Sequence, residues 1–181
     1  MIGYHTYLRV LERDFAGALK EAEKESADST ADVLRGSIRA AICVLAGDEA
    51  GARLAGEEAR GLLEAKLRER ADDVGAMSQL RWVYLALGRK ADALRVAHQR
   101  AASLPIEKDA YWGPSFEVGL AEIQARAGEP QEAVKTLGRL LAIPAGASVS
   151  LQRLKIDPVW DPIRNDPGFQ QLLAGKEHVG P

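Results

Sequence analysis

The chain has 181 residues, a length that suits one sizeable domain. Its formal charge of −2 leaves no whole-chain electrostatic footprint for nucleic acid, and it holds no run of about 18 apolar residues to span a membrane. Aromatics are only 6% and β-branched residues are sparse, while alanine, leucine, glutamate and arginine dominate, so a large sheet is excluded and an all-α fold is expected.

The first residues, Met1-Ile2-Gly3-Tyr4-His5, lack a basic stretch followed by an apolar one, so no secretory signal is read there. Tyr4, Tyr7, Leu8 and Leu11 then recur at helical spacing and predict a first helix with that stripe inward. Further along, three segments align: Leu45-Ala46-Gly47-Asp48-Glu49-Ala50-Gly51-Ala52, Ala86-Leu87-Gly88-Arg89-Lys90-Ala91-Asp92-Ala93 and Arg126-Ala127-Gly128-Glu129-Pro130-Gln131-Glu132-Ala133. Each ends an apolar helical run, turns at glycine and places alanine five residues later. Leu11-Glu12-Arg13-Asp14-Phe15-Ala16-Gly17-Ala18 is a degenerate copy, with Arg13 at the glycine position. Glycine tolerates the left-handed conformation that ends a helix, and a small alanine lets two antiparallel helices approach closely, so each copy predicts an αα-hairpin.

The turn positions 13, 47, 88 and 128 lie 34, 41 and 40 residues apart. The first step is the tetratricopeptide period. The second is lengthened by a long helix from about Asp48 to Arg70, with Ala52, Ala55, Ala59, Leu62, Leu63 and Leu67 as its inward stripe. The third is lengthened in the connector Leu104 to Pro114. Hairpins are expected at about 2–25, 30–70, 75–103 and 114–143, with Ser29 or Thr30, Asp72 and Ser115 as helix N-caps. The tail holds three Asp-Pro steps, and short helices are expected to start at Pro158 and Pro167, with Trp160 and Phe169 packed inward as a cap.

Across roughly residues 1–143 the chain resembles the tetratricopeptide repeat family. The third repeat carries the resemblance best: Leu80, Tyr84, Gly88, Ala93, Ala97 and Pro105 fall where that family prefers large apolar, aromatic, glycine, alanine, alanine and proline residues. Arg39, Arg81, Arg100 and Gln124 depart from the pattern. The stretch from Leu151 to Leu173 resembles the closing motif of repeat regions in bacterial multidomain signalling proteins. Those proteins often carry a kinase, a cyclase or a winged-helix domain, whose activities are not transferred to this chain.

The resemblance implies an α-solenoid over residues 1–143 and a C-terminal capping segment over 144–181. It also implies a concave groove lined by the first helix of each hairpin. Transferred to this sequence, the groove includes Ser37, Ala41, Ser78, Trp82, Leu85, Val118, Glu122 and Arg126. Trp82 is read either as an anchor for a partner or as a core residue, and the connector residues Tyr111 and Trp112 pose the same choice.

Catalytic and metal-binding patterns are missing. His5, His98 and His178 are far apart, Cys43 is the single cysteine, and no phosphate-binding glycine loop or nucleophile elbow occurs. The expectation is therefore a non-enzymatic, cytoplasmic interaction module without cofactor or metal. It would bind a protein or peptide, or associate with itself. The alternative is a small-ligand-sensing domain that regulates an absent catalytic neighbour.

Overall fold

The computed structural model describes residues 3–25, 31–143 and 148–176, and these are helical with no strand among them. The expected caps Ser29 and Thr30, and His178, lie outside the described residues. Ten α-helices follow in chain order: α1 (Tyr4–Leu11), α2 (Phe15–Glu25), α3 (Ala31–Ala46), α4 (Glu49–Glu69), α5 (Val74–Ala86), α6 (Lys90–Ser103), α7 (Gly113–Ala127), α8 (Pro130–Leu141), α9 (Leu151–Ile156) and α10 (Pro167–Leu173). A 3-10 segment, Pro158–Ile163, lies between the last two. The chain divides into two compact units, residues 1–96 and 97–181, with the division inside α6.

Four turns share one construction. Arg13, Gly47, Gly88 and Gly128 have φ of 61°, 75°, 71° and 96°, the left-handed region. In each case the next residue donates its N–H to a carbonyl five residues back. Asp14 reaches Arg9 O at 2.9 Å, Asp48 reaches Cys43 O at 2.9 Å, Arg89 reaches Tyr84 O at 2.8 Å and Glu129 reaches Gln124 O at 2.9 Å. This is the long-range bond of the Schellman motif, which satisfies a carbonyl that the helix end would otherwise leave open. Arg13 adopts the conformation although it has a Cβ, so the degenerate copy is a full member of the set. Ala18, Ala52, Ala93 and Ala133, five residues beyond each turn, are 0%, 3%, 0% and 0% exposed, as the spacing predicts.

In the first unit, sequential packing joins α1 to α2, α2 to α3, and α3 to α4, and α5 lies against both α3 and α4. Val10, Ala18, Ala22, Ile38 and Ile42 form one buried cluster, with Phe15, Leu19, Leu34 and Leu45 packed around it. Two inward stripes differ from expectation. In α1 the buried residues are Thr6 and Val10, while Tyr4 is 72% and Leu8 38% exposed. Only a narrow side of this eight-residue helix meets α2, and an i,i+4 pair fills it. In α4, Ala52, Ala55, Gly56, Ala59 and Leu63 are buried but Leu62 is 54% exposed. One residue is about 100° of helix rotation, which is enough to carry Leu62 off the face that α3 and α5 cover.

The caps also shift. Asp73, not Asp72, begins α5, its carboxylate accepting the Ala76 N–H at 2.9 Å. Ser115 lies inside α7, its hydroxyl donating to Trp112 O at 2.7 Å. The carboxylate of Asp109 takes up the preceding N–H groups instead, from Tyr111 at 3.0 Å and Trp112 at 2.8 Å. Gly113 is required there, because a Cβ would stand 2.7 Å from Ile106 Cα.

The second unit packs α7 on α8, the 3-10 segment on α7, and α10 on α8 and α9. Asp157 and Asp166 start the segments at Pro158 and Pro167, accepting from Val159 N at 3.0 Å and Phe169 N at 3.1 Å. Trp160 is 2% and Phe169 0% exposed, with ring centroids 6.3 Å apart, so both are packed inward, as expected.

Candidate functional site

The side of the first unit formed by α3 and α5 holds five of the expected groove residues. Ser37 and Ala41 on α3 are each 3% exposed. The Ser37 hydroxyl is shared between Leu34 O at 2.8 Å and Gln79 Oε1 at 3.1 Å, the second contact tying α3 to α5. Ser78, Trp82 and Leu85 on α5 remain half-buried and follow one another at helical spacing. The Ser78 hydroxyl donates to Val74 O at 2.7 Å, and the Arg81 guanidinium lies 5.7 Å from the Trp82 ring centroid. Of these five residues, Ser78, Trp82 and Leu85 are the partly exposed ones, while Ser37 and Ala41 are buried.

The other three expected residues lie on α7 in the second unit. Val118 is 5% exposed and Glu122 is half-buried. Arg126 has a packing role: its guanidinium donates to Val159 O at 3.0 Å and to Pro158 O, which fastens the 3-10 segment onto α7. The spacing that suggested a groove position for Arg126 carries no sign of this bond, because the acceptor lies 33 residues further on.

Two features escaped the sequence reading. The first is a polar network in the first unit. Tyr84 donates its phenol hydrogen to Glu64 Oε1 at 3.1 Å. Arg89 approaches the same oxygen at 3.4 Å, and Arg60 lies 3.3 Å from the other oxygen. The Arg89 guanidinium also lies 4.4 Å from the Tyr84 ring centroid and bonds Asp92. Burial, and then the neighbouring Glu64 carboxylate, push the Tyr84 phenol pKa upward. These residues join α4 to α5 and to the start of α6, and every polar group in the set has a partner, so the network is structural. The second is the exposure of the connector aromatics. Tyr111 is 77% and Trp112 52% exposed, and their rings meet edge-on at 5.0 Å. At these exposures neither is a core residue.

Two open concavities lie elsewhere. One of about 470 Å³ is lined by charged side chains of α1 and α2, including Arg9, Lys20 and Glu21. The other, of about 390 Å³, lies between α8 and α10 against Val134, Leu141 and Leu172. Among the described residues no group of three or more His, Cys, Asp or Glu side chains is placed to hold a metal ion. No described helix is long and apolar enough to cross a membrane. Cys43 is buried, and burial raises its thiol pKa, away from the reactive thiolate. No family model, curated protein or solved structure matches this chain.

Proposed function

We propose that the chain is a non-enzymatic, tetratricopeptide-like interaction module of a bacterial signalling protein, working in the cytoplasm, and that the α3–α5 side of its first unit binds a protein or peptide segment. The observation that carries this reading is Trp82. It is a large aromatic left half-buried on a helix whose neighbours at positions 78 and 85 are also partly open. A tryptophan so placed offers broad apolar contact at little entropic loss, which is why the residue is enriched at binding hot spots. Ser78 and Leu85 flank it with one small polar and one apolar group. This composition favours apolar anchoring over capture of a peptide carboxylate.

The experiment is selection of displayed random peptides on the full chain, followed by binding measurements on those retained. Trp82→Ala should weaken them by about 1–2 kcal/mol, roughly 5- to 30-fold, with the thermal melt unchanged. Early unfolding of the variant would make Trp82 a core residue. Undiminished binding to a folded variant would remove this side as the site.

A further inference from the structure

The 3-10 segment Pro158–Ile163 takes its shape from its own neighbours in the chain. Asp157 accepts the Val159 N–H at 3.0 Å, and Arg164 donates to Lys155 O at 2.7 Å and to Asp157 O at 3.0 Å. Proline at the first position fixes φ for the turn that follows. Its attachment to α7 is of a different kind. The Arg126 guanidinium donates to the main-chain carbonyls of Pro158 and Val159, while the side chains of Val159, Trp160 and Ile163 are buried. Main-chain bonds for affinity, with buried side chains for selectivity, are a recurring way to hold a partner's segment. Arg126 is also a position that the tetratricopeptide resemblance assigns to a partner groove. Here that position does hold a segment, and the segment is the chain's own.

We propose that the face of α7 at Arg126 is a segment-binding site, closed in this chain by its own residues 157–163. It accepts a partner segment of the same chemistry: Asp-Pro, an apolar residue, then tryptophan. The aspartate and proline set the turn that presents two carbonyls to the guanidinium, and the tryptophan supplies the buried anchor. A tethered segment competes at an effective concentration of about millimolar, so a free segment enters only when the tethered one loses contacts or the partner binds more tightly. This site lies in the second unit and uses no residue of the α3–α5 side, so it stands or falls separately from Trp82.

Hydrogen exchange of the full chain gives the first readout. Amides of α9, the 3-10 segment and α10 should show protection at least about tenfold lower than those of α7 and α8, because the tail opens as a unit. One common protection across all five would make the tail part of a single core and overturn the proposal. A labelled synthetic peptide of residues 150–173 gives the second readout. It should bind the full chain carrying Trp160→Ala at least about tenfold more tightly than the parent, whose own segment competes. Ile163→Ala, a milder loosening, takes the place of Trp160→Ala if that variant does not fold. Adding Arg126→Ala to the loosened chain should weaken the peptide at least about tenfold, and a peptide carrying Trp160→Ala should not bind. Equal binding by parent and loosened chains, no binding by a folded loosened chain, indifference to Arg126→Ala, or loss of fold in both loosened variants would each count against the site and end the proposal.

Discussion

Between residues 13 and 128 the chain reverses four times at a left-handed residue, and each time a fully buried alanine follows five positions later. Between residues 150 and 167 a different device recurs: Ser150, Asp157 and Asp166 each cap a segment of six or seven residues, two of them opening on proline. Helix length separates the two regions. Helices of eight to 21 residues can lay a stripe of small side chains against a neighbour, so close approach supplies the packing. A segment of six or seven residues has too little stripe for that. The tail instead buries large single side chains, Trp160 and Phe169 among them. Truncation should therefore dominate in the tail, and enlargement in the paired helices.

The largest effect is expected at Phe169, which is wholly buried and stacked near Trp160. Phe169→Ala should cost about 3–5 kcal/mol by lost transfer energy and the cavity left behind. A denaturant melt of the full chain checks this, and a loss below about 1 kcal/mol would show that the tail relaxes around the gap. The converse experiment belongs to the alanines. Ala93→Leu inserts a larger side chain at a position with no exposed surface and should cost about 1–3 kcal/mol. Ala46→Leu, on an exposed site one residue before a turn, should change stability by less than about 0.5 kcal/mol. Equal effects at both positions would end the claim that the repeat spacing selects close-approach sites.

The four turns, the alanines behind them and the Asp-Pro starts were legible in the sequence because each rests on the preference of one or two residues for a local conformation. Facing was less legible. Tyr4 and Leu8 form a helical stripe as good as that of Thr6 and Val10, and periodicity alone cannot say which one α2 will cover. Leu62 and Leu63 differ by a single position, and only the neighbours of α4 decide which is inward. Arg126 and the Glu64–Tyr84–Arg89 network depend on partners distant in sequence, and no local pattern announces them. The resemblance placed Ser37, Ala41 and Val118 along a groove, where the structure gives them 3–5% exposure and hence little surface to share.

The caps provide a smaller test, with a pH dependence. The Ala76 N–H bonded to Asp73, helped by Arg70 and opposed by partial desolvation, holds the Asp73 carboxyl below the usual carboxylate range. A carboxyl whose folded pKa is depressed contributes stability above its unfolded pKa, about 3.9, and loses that contribution as pH falls through the folded value. Asp73→Ala should therefore cost about 0.5–2 kcal/mol at pH 7, and the difference from the parent should shrink below about pH 4. Asp72→Ala, at an exposed position without the cap bond, should stay within about 0.5 kcal/mol at both pH values. The reverse ranking would restore Asp72 as the cap.

The smallest effect concerns the turn that breaks the glycine pattern. Arg13 holds φ of 61° with the same carbonyl bond as the glycine turns, so its backbone has accepted the steric penalty that glycine avoids. Replacing it relieves that penalty but gives the unfolded chain more freedom, and the two changes oppose each other. Relief should win narrowly. Arg13→Gly is expected to stabilise by about 0.5–1 kcal/mol, whereas Gly88→Ala, which introduces the penalty, should destabilise by about 1 kcal/mol or more. Thermal melts of the two variants should thus move in opposite directions. If Arg13→Gly destabilises, the arginine side chain contributes contacts that outweigh its strained backbone. The first turn would then be held by its side chain, while the other three are held by backbone freedom alone.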